Sequence, residues 1–459
     1  VKKAVTEPAN NPQPETEHQK LGQATFAVGI GNFMEWFDFA IYGFFAVIIG
    51  QLFFAGDSPA VALLASLAVF AVGFLMRPLG GFILGPIGDK YGRRAALSIS
   101  VLAMGVSTTL IGFIPTFDAI GIVAPILLVL LRCLQGLSAG GEWTGSAAYL
   151  IEGAPKNRRA TYASVISATA ALATVVGSGF ALWLNFILTT EQLLDFGWRI
   201  PFWAAGPLAL VGLYVRLKLD DTPVFKQIKI ARASGTLAAP KTRRNLKAVG
   251  LTICFAAVQG LGYYYLATFV VNYLEVTLNI ARPSALLLSG IGLLVYMVLC
   301  PIAGVISDRF GRRIPNLIGT VGYIVLPIPV FMMMSTGNPI LIVFGLILLG
   351  CVQCLVSVTT VVMLVELFPA SSRATGSAIG FNIALAFIAG PGPYIGAFLA
   401  LSTGSAIAPA FYQVLVALIA LIVLLKWLPE SSKQDIFSED VGWDKKIQKR
   451  DAPAEKVTA

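Results

Sequence analysis

Twelve long apolar runs, near 25–50, 61–86, 95–114, 121–146, 161–186, 201–217, 248–274, 284–306, 314–335, 339–365, 374–400 and 408–428, constrain this chain more than any motif in it. Each is close to the roughly 20 residues that a helix needs to cross a bilayer. None alternates in the manner of the strands, about ten residues long, of an outer-membrane barrel. A lipid-facing segment must satisfy its backbone internally, so helix is the expectation for all of them, numbered span 1 to span 12. Composition agrees, with 56% apolar and only 12% charged residues and a mean hydropathy of +0.78. Soluble domains carry about 25% charge, so an ordinary soluble globule and a disordered chain are both excluded.

Charge placement sets the orientation. Of the 33 Lys and Arg, Arg77 and Arg132 lie deep inside spans, Arg216 and Lys426 lie at the ends of spans 6 and 12, and only Arg199 and Arg282 fall in loops of the opposite parity. The others crowd the tails and the loops after even-numbered spans, among them Lys90, Arg93, Arg94, Lys156, Arg158, Arg159, Arg309, Arg312, Arg313 and Arg373. Positive residues stay on the cytoplasmic side, so both termini are expected there. The +9 net charge has the same cause, and no nucleic-acid partner is expected. The expected organisation is a tail (1–21), a first six-helix bundle (22–217), an interdomain loop (218–247), a second six-helix bundle (248–429) and a second tail (430–459).

Several chemistries are unsupported. The only histidine, His18, sits in a polar, Pro-containing leader with no apolar core of signal-peptide type, read as a cytoplasmic tail. Cys133, Cys254, Cys300, Cys351 and Cys354 all lie in apolar runs, so Cys351-x-x-Cys354 reads as helix packing rather than redox or zinc chemistry. With no nucleophile–base pair, metal cluster or phosphate loop, neither an enzyme nor a cofactor is expected, beyond a proton as coupling ion.

The two halves repeat each other. Gly88-Asp89-Lys90-Tyr91-Gly92-Arg93-Arg94 returns as Ser307-Asp308-Arg309-Phe310-Gly311-Arg312-Arg313. At nearly the same offset, Glu152, Pro155, Arg159, Ala160 and Thr161 return as Glu366, Pro369, Arg373, Ala374 and Thr375. Parallel repeats of this kind are related by an axis along the membrane normal and enclose a cavity near the midplane. The Asp carboxylates can accept from helix ends or Arg forks, and the loop glycines permit a tight turn. Asp89, Arg93, Arg94, Asp308, Arg312, Arg313, Glu152, Arg159, Glu366 and Arg373 are therefore candidates for a conformational latch between the bundles.

Ionisable groups inside a membrane are costly and point to function. Glu35 and Asp38 in span 1 share a helix face, which Tyr42 continues one turn on. Arg77 lies in span 2. Span 4 holds Arg132, Gln135 and Glu142, with Trp143 expected almost directly above Arg132; Glu142 equally suits a cap near the outer end of its helix. A carboxylate beside an Arg, in a site that alternates between wet and dry, passes through its titration range as their separation changes. Glu35, Asp38 or both are the expected proton carriers, with Arg132 setting their affinity. Three acids against two bases favour a zwitterion over a polyanion.

Span 7 carries Gln259, Tyr263, Tyr264, Tyr265 and Asn272, and at most two of the three adjacent tyrosines can face a central cavity. Their faces suit ammonium groups through cation–π attraction. The expected substrate-contacting set is Tyr42, Arg77, Gln135, Glu142, Trp143, Tyr263, Tyr264 and Asn382, with Gln353 a weaker candidate.

These motifs, with Arg77-Pro78-Leu79-Gly80-Gly81, Gly197-Trp198-Arg199-Ile200-Pro201-Phe202 and Thr222-Pro223-x-Phe225, resemble the major facilitator superfamily and, within it, the metabolite:proton symporters. The likeness runs from about residue 22 to 430. It implies an all-α polytopic fold of two six-helix bundles in the bacterial plasma (inner) membrane, a monomer, and proton-driven import of a small molecule by alternating access. Such symporters take up proline and betaine, or carboxylates such as α-ketoglutarate, citrate or shikimate. Glu35-Trp36-Phe37-Asp38, Gly140-Gly141-Glu142-Trp143-Thr144-Gly145 and the Tyr-rich span 7 resemble the proline and betaine branch most. That branch carries a long C-terminal coiled coil, whereas residues 430–459 are Pro-interrupted and lack heptads, a departure that bears on osmotic regulation.

Overall fold

The structure is a computed structural model that describes residues 14–54, 58–91, 93–218, 246–369 and 373–436. Among them, all regular structure is helical. Eight helices are long and apolar enough to cross a membrane, or ten if each of two bent pairs counts as one span. Arg93–Ile111 and Ile200–Lys218 stand where spans 3 and 6 are expected. Large side chains such as Phe82, Ile126, Phe186, Ile302 and Ile422 are exposed on the flanks, which suits lipid as the surrounding solvent.

Spans 1, 4, 7, 9 and 11 are interrupted, and the interruptions are local chemistry. Span 1 bends by 60° between Pro14–Phe44 and Ala46–Phe53. Span 9 bends by 44° between Arg313–Val325 and Pro327–Ser335, where Pro327 supplies no N–H to the ladder. Span 4 is Val123–Ala139 followed by Glu142–Gly153, broken at Gly140-Gly141. Span 7 runs as Leu246–Tyr264, then widens into π-helical turns at Tyr265–Phe269 and Tyr273–Thr277. Span 11 has a third at Leu385–Ala389. Such bulges break the regular ladder and re-aim side chains.

Spans 2 and 4 cross backbone to backbone. A Cβ on Gly136 would lie 1.8 Å from the Gly73 carbonyl oxygen, and one on Gly140 would lie 2.2 Å from that of Arg77. This is small-residue packing of membrane helices, in which dispersion between close backbones replaces the hydrophobic effect. It also carries Arg77 and Arg132 into one neighbourhood.

The halves meet along their length. At the end that carries the basic loops, span 5 packs on span 8; at the middle, span 1 packs on span 7. At the far end, Asn272 Nδ2 donates to the Gly43 carbonyl (3.0 Å), Ser178 Oγ donates to that of Leu286 (3.0 Å), and Arg282 donates to that of Phe44.

Candidate functional site

The embedded charges do not pair as the spacing suggests. Arg77 Nη2 lies 2.8 Å from Glu35 Oε1, with both side chains 1% exposed. Arg132, expected beside the span 1 acids, instead donates to Gln135 Oε1 (2.7 Å) and lays its guanidinium 3.7 Å from the Tyr42 ring centroid. Asp38 accepts from Thr108 Oγ1 (2.9 Å), which also accepts from Gln135 Nε2. Gln135 and Thr108 bridge Arg132 to Asp38 by hydrogen bonds, and the two charges also act on each other through space. The physical reason is the Gly-mediated crossing of spans 2 and 4, which helical spacing along span 1 alone does not reveal.

Two further expectations change. The Gly140-Gly141 break resets the helical phase, so Trp143 does not stand above Arg132; it stacks on Phe381 of span 11, with centroids 4.4 Å apart. Glu142 begins the second segment of span 4, towards the basic end rather than the outer one, and accepts from Ser100 Oγ (2.8 Å). Asn382 Nδ2 donates to the Gly140 carbonyl, so Asn382 and Trp143 join spans 4 and 11 at that break. Glu35, Asp38 and Glu142 line one narrow crevice with Met34, Met104 and Leu208, between spans 1, 3, 4 and 6.

An aromatic cluster fills the seam between the halves. Trp36 meets Tyr263 at 4.7 Å and Tyr264 at 6.0 Å, and Phe74 meets Tyr264 at 4.8 Å, all centroid to centroid. Tyr263 and Tyr264 thus both face the first half, and the Tyr263 hydroxyl is fixed by Thr174 Oγ1 (2.7 Å) and the Ala170 carbonyl (3.0 Å) of span 5. Tyr265 turns away and donates to the Pro409 carbonyl of span 12. Tyr42 donates to the Ser66 carbonyl. Gln353 stays within the second half, donating to the Gln259 carbonyl and accepting from Tyr323.

At the basic end, Asp308 of span 8 crosses to the first turn of span 5. Its carboxylate accepts from the Ala160 and Thr161 N–H groups (both 2.9 Å) and from Thr161 Oγ1 (2.7 Å), while Arg312 Nη1 donates to it within the second half (2.9 Å). A helix N-terminus with free N–H groups is a natural anion site. Arg373 pairs with Glu152 across the halves at 2.8 Å, and Arg159 lies 3.6 Å from Glu366, which Arg312 also holds. Arg313 donates to the Leu425 carbonyl, so its contact is with span 12 rather than the first half. Gly311 adopts φ +90°, as the tight turn requires. The side chains of Asp89, Arg93 and Arg94, and all of Gly92, lie outside the described residues.

Residues unrecognised in the sequence complete the picture. Thr108 and Ser100 receive the embedded acids, and the Ser107-Thr108-Thr109 run within an apolar span is the signal that marks one of them. Residues 428–436 fold back over the basic end: Ser431 donates to Glu366, and the Gln434 and Ile436 carbonyls accept from Arg159 and Arg373. Phe39, Phe70 and Phe74, ordinary apolar residues in sequence, surround the two arginines.

Comparison with known proteins agrees with this architecture. A family model described as Major Facilitator Superfamily matches residues 28–391. The chain is 37% identical over 417 residues to a proline/betaine transporter of Escherichia coli strain K12, covering 88% of this chain and 82% of that protein. It is 36% identical over 413 residues to a glycine betaine/proline/ectoine/pipecolic acid transporter of Dickeya dadantii, with the same two coverages. Among solved structures, a D-xylose-proton symporter superimposes with a TM-score of 0.71 at 18% identity, over 90% of this chain and 99% of the other. The proton:xylose symporter bound to 6-bromo-6-deoxy-D-glucose gives 0.74 at 16% identity, over 91% and 98%. With the family model spanning most of its length and relatives sharing over a third of its residues, the chain belongs to the major facilitator superfamily, a family of membrane transporters of small molecules and not of enzymes.

Proposed function

We propose that this protein is a proton-coupled symporter that imports a small zwitterion, proline or glycine betaine, across a bacterial inner membrane, with both termini cytoplasmic and the monomer as working unit. The observation that carries the reading is the meeting of Trp36, Phe74, Tyr263 and Tyr264 at the seam between the halves, beside the embedded Arg77 and Arg132. Aromatic faces attract an ammonium group, most strongly where water is excluded, and a guanidinium attracts a carboxylate. A molecule carrying both charges on a small frame matches both. The names of the relatives support the same substrate class.

Alternating access follows from the two-bundle plan. Asp308, Arg373 and Arg159 tie the halves at the basic end, and release of those contacts opens the seam to the cytoplasm. Glu35, Asp38 and Glu142 share a crevice inside the first half, where gain and loss of a proton is coupled to rearrangement of the Arg77–Glu35 pair.

The test is uptake of labelled glycine betaine, proline, α-ketoglutarate, citrate and shikimate into proteoliposomes, with an inward proton gradient and after its collapse by a protonophore. Accumulation of betaine or proline only with the gradient supports the whole reading. Accumulation of a carboxylate alone overturns the zwitterion assignment, and accumulation indifferent to the gradient overturns proton coupling.

A further inference from the structure

The two buried arginines are not equivalent. Arg77 already has its counter-charge in Glu35 at 2.8 Å. Arg132 forms no ion pair among the described residues, although it is 1% exposed. One of its donors goes to Gln135, and its π face is covered by Tyr42, with the Phe70 centroid 5.2 Å away. Its Nε and Nη2 are buried without a hydrogen-bond partner among the described residues. Those two nitrogens lie along one edge of the guanidinium plane, and their N–H bonds run parallel, the arrangement that takes both oxygens of a carboxylate at once. Leaving such donors unpaired in a dry interior is costly.

We propose that the Nε–Nη2 edge of Arg132 is the docking site for the carboxylate of the substrate, while Arg77 belongs with Glu35 to the coupling machinery. The proposal rests on the zwitterion reading above and exchanges the roles that the sequence suggests for the two arginines. The aromatic set supplies the other half of the site. Phe70 touches Arg132 on one side and lies 5.0 Å from Phe74 and 6.2 Å from Tyr264 on the other, centroid to centroid. A single ring therefore separates the guanidinium from the faces that would hold an ammonium. That short reach suits a molecule whose two charges are one carbon apart, as in an α-amino acid or a betaine. Two further buried donors point to the same region, since the Tyr264 hydroxyl and Trp36 Nε1 also have no hydrogen-bond partner. Gln135 holds Arg132 in place, and Thr108 holds Gln135, so carboxylate binding is linked through both to Asp38.

The experiment is equilibrium binding of labelled glycine betaine, proline and choline to the purified protein in detergent. Choline keeps the trimethylammonium group and replaces the carboxylate with a hydroxymethyl. The wild type is expected to prefer betaine by about 100-fold, the weight of a buried charge-assisted pair. In Arg132→Gln that preference collapses while choline affinity is unchanged; in Arg132→Lys it is intermediate; in Arg77→Gln it persists while the pH dependence of uptake shifts. Survival of the preference in Arg132→Gln, with a shifted pH profile instead, overturns the assignment and returns Arg132 to coupling. If the glutamine variant fails to give a monodisperse protein, Arg132→Lys reads the same ratio. A wild type that binds neither betaine nor proline sinks the zwitterion reading itself, a different outcome from a preference that outlives the arginine.

Discussion

The two halves share their loops but not their interiors. Both carry the Asp-basic-aromatic-Gly-Arg-Arg turn and the Glu/Arg pair that follows it. Inside, the first half buries Glu35, Asp38, Arg77, Arg132 and Glu142, whereas the second buries neutral groups, Gln259, Asn272, Gln353 and Asn382, beside the tyrosines and three π-helical turns. Repetition is kept where two bundles must grip each other. It is dropped in the interiors, where the first bundle buries charged groups and the second neutral ones. The difference is energetic as well as functional, because a charged pair broken in a dry interior leaves an uncompensated ion, and a broken neutral hydrogen bond does not.

The sharpest way to break the comparison is to halve each network. Arg77→Met is expected to destabilise the folded protein by about 3–5 kcal/mol, because the buried Glu35 loses the counter-charge 2.8 Å away. Gln353→Leu, which cuts an equally buried but neutral network in the second half, should cost about 1–3 kcal/mol. Adding Glu35→Gln to Arg77→Met should regain most of the loss while leaving no proton-driven accumulation. Thermal unfolding in one detergent measures all of these. Equal losses from Arg77→Met and Gln353→Leu would erase the distinction between the halves.

What the sequence makes legible follows the range of the signal. Span length, the six-and-six split and the twin loops are encoded in contiguous residues, so periodicity and repetition expose them. The partner of an embedded charge is not, because it depends on how two helices cross. Gly73 and Gly136 set that crossing from positions with no side chain to read, and so Glu35 meets Arg77 instead of Arg132. Trp143 is misplaced by extending one helical phase through Gly140-Gly141. Thr108 and Ser100 go unnoticed because a hydroxyl in an apolar run is usually spent on its own backbone, as Ser107 and Thr109 are. The return of residues 428–436 over the basic end is invisible for a different reason: two of its contacts are backbone carbonyls, which any residue supplies, and those of Glu430 are to the N–H groups of a loop more than a hundred residues away.

The shared loops offer a second test. Asp308→Asn weakens three donors from the first turn of span 5 and removes a counter-charge from Arg312. The expected shift is about 2 kcal/mol towards opening at the basic end, the weight of one or two charge-assisted hydrogen bonds. Ser167, whose hydroxyl lies 2.8 Å from that of Ser357 across the seam, reports it. With the native cysteines replaced, a Ser167→Cys probe should label at least ten times faster in Asp308→Asn than in its parent. Asp89→Asn then asks whether the first loop is an equal partner; no change in labelling would make the grip one-sided.

Neighbouring tyrosines give a finer contrast within span 7. Tyr263→Phe removes a hydroxyl bonded to Thr174 and Ala170 of the first half and should cost about 1 kcal/mol of stability. Tyr264→Phe removes a hydroxyl with no hydrogen-bond partner among the described residues and should leave unfolding unchanged. If the Tyr264 hydroxyl serves the substrate, its removal weakens betaine binding instead. Lower stability in Tyr263→Phe alone and weaker binding in Tyr264→Phe alone would separate a strut from a contact at adjacent positions; a lower melting temperature in Tyr264→Phe would refute the contrast.

The smallest effect concerns an anchor of the second loop. Glu430, beyond span 12, accepts from the backbone N–H groups of Arg312, Arg313 and Ser432. Partial burial raises its pKa, but these donors outweigh it and hold the carboxyl below the usual range. A group whose pKa falls on folding stabilises above its unfolded value and loses that contribution as pH drops through the folded one. The stabilisation is therefore complete at neutral pH and disappears in acid. Because the side chain is exposed, solvent screens it, and Glu430→Gln should lower stability by under about 1 kcal/mol at pH 7. Melting temperatures of the two proteins should converge as the pH falls below the ordinary glutamate range. A gap that stays constant with pH would mean that the carboxylate anchors the loop by shape alone, and that the second copy of the grip has no electrostatic advantage of its own.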